Sequence, residues 1–64
     1  MKFVLEVDMG EGAVAGDAAS ELGRILRYWG GNVRHYELKP GDGSVIYDSD
    51  YGEVGQWHIV ADAE

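Results

Sequence analysis

The chain has 64 residues, no cysteine, and twelve acidic residues against five basic ones, for a net charge of −7. These values exclude a disulfide-stapled or cysteine-ligated zinc domain, and they oppose direct binding to nucleic acid, which needs a basic balance. The length fits a single domain over residues 1–64, and so short a chain buries only about 60% of its unfolded surface, which leaves its stability marginal.

Lys2 to Asp8 alternates with period 2, placing Phe3, Leu5 and Val7 on one face and Lys2, Val4, Glu6 and Asp8 on the other. This pattern predicts a half-buried strand. It also opposes a signal peptide, which requires a continuous apolar run, and no stretch approaches the ~20 apolar residues that span a bilayer. A cytoplasmic protein without a membrane contact is expected. Met9 to Gly16 is a glycine-rich connection in which Ala13-Val14-Ala15 can form an early helical turn.

Asp17 to Trp29 predicts the main helix. Ala18, Leu22, Ile25, Leu26 and Trp29 fall on one apolar stripe, and Asp17 suits the N-cap. Gly30-Gly31 offers the residue that ends a helix in left-handed backbone. Asn32 to Lys39 lacks alternation and fits either a short edge strand or a loop. Pro40-Gly41-Asp42-Gly43 is a turn. Ser44 to Asp48 and Glu53 to Val60 form the two strands of a hairpin around Ser49-Asp50-Tyr51-Gly52, with Gly52 expected at positive φ. Trp57 and Ile59 share a face and are expected to meet the helix beside Phe3 and Leu5.

The order β-α-β-β predicts an α+β fold: a three-stranded, mostly antiparallel sheet with the last strand central and one helix packed on one face. In Met1–Asp8, Glu21-Leu22-Gly23-Arg24-Ile25-Leu26 and Ile46–Trp57 the chain resembles a group of small βαββ proteins encoded in actinobacterial genomes and by phages of actinobacteria. It departs from them at Asp48-Ser49-Asp50-Tyr51-Gly52, where they carry Asp-x-Asn-Gly-Asn, and in a longer Gly30–Gly43 segment. The resemblance implies a phage or actinobacterial context, and for a phage protein the host cytoplasm. It implies no biochemical role.

Candidate chemistry is sparse. Gly10-Glu11-Gly12-Ala13-Val14-Ala15 matches G-x-G-x-x-A, but Asp8 and Glu11 would repel a pyrophosphate and the loop holds no Lys or Arg. Asp48-x-Asp50-x-Gly52-Glu53 resembles the start of a calcium loop, yet Glu53 and Ile59 occupy the positions that need Gly and a bidentate Glu. His35 and His58 are the only acid–base candidates near neutral pH, without a nucleophile or carboxylate at an informative spacing. A sheet with one helix rarely encloses the ~300 Å³ of a ligand pocket. No catalytic residue, metal or cofactor is expected.

The aromatic inventory is richer than a small core needs. With Phe3, Trp29 and Trp57 inside, the tyrosines are in surplus, and an uncovered sheet face or hairpin edge carrying Val4, Val45, Tyr47, Tyr51 and His58 is the expected contact surface for another protein or a second copy of the chain. An alternative is an acidic mimic of a DNA backbone, built on Asp42, Asp48, Asp50, Glu53 and Asp62 and directed at a nucleic-acid-binding protein. Residues 40–64 hold six acids and no Lys or Arg, which serves either an acidic contact face or simple solubility.

Overall fold

The computed structural model describes residues 1–62. The chain runs β1 (Lys2–Val7), α1 (Gly12–Gly16), α2 (Ala18–Asn32), a 3₁₀ turn (Val33–His35), β2 (Gly43–Tyr47) and β3 (Glu53–Val60). The sheet order is β1-β3-β2 with both pairings antiparallel, so the last strand is central. This is the α+β arrangement expected from the alternation of β1 and β3 and from the turn at Pro40–Gly43, with a short additional helix. From its terminal position the segment 61–64 is expected to fray; residues 63 and 64 of it lie outside the described residues.

Register follows the hydrophobic pattern. Leu5 faces Trp57 and Phe3 faces Ile59, while Ser44 lies across from Trp57 on the other side of β3. Ile46 faces Gly55 but Tyr47 faces Glu53, which makes Val54 the extra residue of a β-bulge. The bulge turns Val54 inward, where it joins Val14 of α1, Ile25 and Trp29 of α2, and Ile46, Trp57 and Ile59 of the sheet in the core. Gly55 occupies the centre of the sheet because a Cβ there would collide with the Glu6 carbonyl oxygen.

Trp57 is 1% exposed and organises the aromatic contacts. Phe3 stacks on it at 5.5 Å, and Trp29 and Tyr36 meet it edge-on at 5.5 and 4.9 Å, geometries that the ring quadrupoles favour. Both helices contribute to this one face of the sheet. The other face carries Val4, Val45, Gln56, His58 and Val60, with Val4 directly opposite His58.

Several local expectations are corrected. Gly30-Gly31 does not end α2, which continues to Asn32 and passes into the 3₁₀ turn. The Asn32 side-chain amide donates to the Tyr28 carbonyl at 2.6 Å, and Val33 packs on the core; this tertiary anchoring outweighs the low helix propensity of two glycines. Residues 32–39 form no strand. Leu26 is 57% exposed at the flank of the helix stripe, and Phe3 is 51% exposed because it caps Trp57 from the sheet edge. In the hairpin turn, Tyr51 takes positive φ (64°) in place of Gly52.

Candidate functional site

Asp48 organises the hairpin end of the molecule. It is 3% exposed, and its carboxylate accepts N–H groups from Ala13 (3.0 Å), Asp50 (2.9 Å) and Gly52 (2.7 Å). The bond from Ala13 caps the first turn of α1 with a residue 35 positions away. These N–H groups, Ala13 foremost, hold the Asp48 carboxyl below its ordinary value of 3.8. Gly12 lies beside it at φ 61°, and a Cβ there would strike the carboxylate.

That geometry answers two motif readings. The helix start in the G-x-G-x-x-A segment is already occupied by the chain's own carboxylate, so it offers no open phosphate cradle. In the calcium-like run, Asp48 is turned inward and engaged by backbone donors. Among the described residues, no group of three or more His, Asp or Glu could hold a metal ion.

A second cluster joins α2 to the hairpin. Glu21 accepts from the Ser49 N–H at 3.0 Å and from Arg24 Nη2 at 3.4 Å, and Arg24 Nη2 also donates to the Tyr47 carbonyl at 2.8 Å. The hydrogen bonds from Ser49, then the charge of Arg24, hold the Glu21 carboxyl below its ordinary 4.5. The Arg24 Nε–H is buried without a partner among the described residues.

Beside this cluster, between α2 and the outer edge of β2, lies a cleft of about 320 Å³. One wall is Tyr28, Trp29 and Tyr36; the other is Val45, Tyr47 and Tyr51; Arg24 and Asp48 line it as well. A cleft of this size, open to one side, matches the ~300 Å³ at which ligand pockets begin. Tyr36, carried just past α2 by the 3₁₀ turn, meets Trp57 edge-on and lines the cleft. A wider depression of about 370 Å³ at the β1–β3 end includes Glu6, Asp8 and Glu53 and no aromatic residue.

The candidate contact residues therefore separate into two groups. Val45, which belongs to the open sheet face, reaches the cleft at the β2 edge together with Tyr47 and Tyr51, while Val4 and His58 pair on that open face and do not line the cleft. Tyr28 and Tyr36, surplus aromatics by composition, complete the cleft. Tyr28 could have been placed from its position next to Trp29 on the helix, four residues from Arg24, whereas Tyr36 carries no local signal. His35 ends the 3₁₀ turn, exposed and away from the cleft.

The acidic residues do not form the single patch expected for a DNA mimic. Asp48 is buried. Asp42 accepts the Leu38 N–H at 2.9 Å and holds the turn before β2. Asp62 pairs with the Met1 ammonium at that same end of the sheet. Asp50 and Glu53 lie at the hairpin end, and the eight residues of β3 separate the two ends by about 25 Å. Among the described residues, no helix is long and apolar enough to cross a membrane. No protein-family model matches the chain, nor does any curated protein or solved structure.

Proposed function

We propose that the chain is a small acidic, non-enzymatic protein-binding module that engages its partner along the hairpin edge, through the cleft beside β2. The observation that carries this reading is the gathering of four exposed tyrosines, Tyr28, Tyr36, Tyr47 and Tyr51, on one concave surface. Tyrosine, tryptophan and arginine dominate the energetics of protein interfaces, because they bury large areas at low entropic cost and keep a polar handle. The sequence resemblance to proteins of actinobacterial phages directs the search toward a host protein.

The test is affinity capture from an actinobacterial lysate with the native chain and a Tyr47→Ala variant. A protein retained by the native chain and lost by the variant supports the reading; equal recovery by both, or none by either, ends it. The DNA-mimic alternative would have to rest on Asp50 and Glu53 at one end and Asp42 and Asp62 at the other, and it predicts a steep loss of affinity with salt. A homodimer predicts a concentration-dependent mass in light scattering, against a constant monomer mass for the module proposed.

A further inference from the structure

We infer that the aromatic cleft takes the arginine or lysine side chain of a basic segment of the partner protein, held between the tyrosine rings. This inference rests on the binding-module reading above and names the chemistry of its occupant.

Two properties of the cleft select a cation. First, five of its ten lining residues are aromatic. Tyr28, Trp29 and Tyr36 stand on one side and Tyr47 and Tyr51 on the other, with no ring–ring contact bridging the two walls among the described residues. A planar guanidinium or an ammonium against the faces of such rings is drawn to their negative quadrupoles. Second, the surrounding charge is negative. Asp48 lines the cleft, Asp50 lies two residues further along the same turn, and the whole chain carries −7. An anionic occupant would meet that field unfavourably. Arg24, the one cation in the lining, does not reverse it: its charge is offset by Glu21 at 3.4 Å, and its Nη2 donates to Glu21 and to the Tyr47 carbonyl, while its buried Nε–H has no partner among the described residues. Asp48, held below its ordinary 3.8 by its N–H donors, is ionised at neutral pH.

Tyr51 adds an independent sign. It is 88% exposed yet holds φ at +64°, a backbone conformation that suits glycine and strains a bulky residue. Strain kept at an exposed aromatic on the rim of a cleft fits a ring placed for contact.

The experiment titrates the full chain with acetyl-Gly-Arg-Gly-Arg-Gly-amide and with the same peptide carrying citrulline, the neutral isostere, in place of arginine. Tyrosine ring resonances are followed by NMR. The expected result is saturable movement of the Tyr28, Tyr36, Tyr47 and Tyr51 rings with the arginine peptide and at least about tenfold weaker binding of the citrulline peptide. A Tyr47→Leu, Tyr51→Leu variant keeps the net charge and the apolar bulk while removing two π-faces; it is expected to weaken the arginine peptide by about fivefold or more, with the amide spectrum checking that it is folded. Equal affinity for the citrulline peptide overturns the cationic occupant and leaves the binding-module reading standing. Equal affinity of the arginine peptide for the variant reduces the interaction to diffuse attraction by the acidic surface and also overturns it, as does an absence of ring shifts. Failure of the module reading is read separately, from a capture that does not depend on Tyr47.

Discussion

The carboxylate of Asp48 accepts the backbone N–H of Ala13 at 3.0 Å, so a turn between the last two strands caps the first helix of the chain. Two further N–H groups of the same turn, from Asp50 and Gly52, converge on it. Asn at this position retains one acceptor oxygen and turns an amide N–H₂ toward a backbone donor. Asp48→Asn is therefore expected to lower the urea midpoint clearly and to loosen α1, seen as faster amide exchange at Ala13 and Val14. Asp50→Asn, which removes the same charge from an exposed neighbour, is expected to leave the midpoint within error. Equal effects would show that the charge of the turn, and not the geometry of Asp48, matters.

The pH dependence follows from the same bonds. The Asp48 and Glu21 carboxyls are held below their ordinary values of 3.8 and 4.5 in the folded chain. Their contribution to stability is complete above those values, declines as pH falls through them and the unfolded chain takes up protons, and is lost once pH passes the lowered folded values. Urea midpoints measured from pH 7 to pH 3 are expected to fall below about pH 4.5. The decline should be shallower in a Glu21→Gln, Asp48→Asn double variant. Parallel profiles for the two proteins would assign the acid sensitivity to other groups.

Glycines of this chain divide sharply by what surrounds them. Gly30 and Gly31 lie inside α2 with open space where a Cβ would project. Each substitution to alanine is expected to stabilise the fold by about 0.5–1 kcal/mol through helix propensity. Gly55→Ala drives a Cβ into the Glu6 carbonyl across the central pairing and is expected to cost more than about 3 kcal/mol, enough to unfold a domain of this size. Thermal melts of the three single variants check all of this. A destabilising Gly30→Ala would indicate that α2 ends where its local sequence suggests.

How far the fold was legible follows from the range of each determinant. Period-2 alternation in β1, with turn chemistry at Pro40–Gly43, made the strands legible, because side-chain parity decides which face of each strand is buried; the central place of β3 followed from the β-α-β-β connectivity as the preferred arrangement. The end of α2 was not legible: glycine propensity is local, whereas Val33 and the Asn32–Tyr28 bond that extend the helix depend on the packed core. Nor was the role of Asp48, whose decisive partner is 35 residues away. The tyrosine surplus was evident from composition. Its gathering on the β2 edge was not, since Tyr28 comes from a helix flank and Tyr36 from a segment with no periodicity.

Tyr51 brings stability and binding into opposition. Its left-handed backbone costs an L-residue about 1–2 kcal/mol that glycine avoids, and with 88% of the residue exposed there is little burial to lose. Tyr51→Gly is therefore expected to raise stability by about 1 kcal/mol, somewhat less than the relieved strain because glycine frees the unfolded chain as well. In a domain of this length such a gain raises the melting temperature by several degrees. If Tyr51 serves the cleft, the stabilised variant should capture less partner than the native chain, a trade expected where strain is retained for contact. Tyr51→Asn, which tolerates left-handed backbone better than tyrosine while also lacking the ring, should gain part of the stability and lose the same binding. Calorimetry paired with capture on the three proteins decides the matter: a melting temperature that does not rise removes the strain argument, and a stabilised Tyr51→Gly that captures as well as the native chain removes Tyr51 from the contact surface.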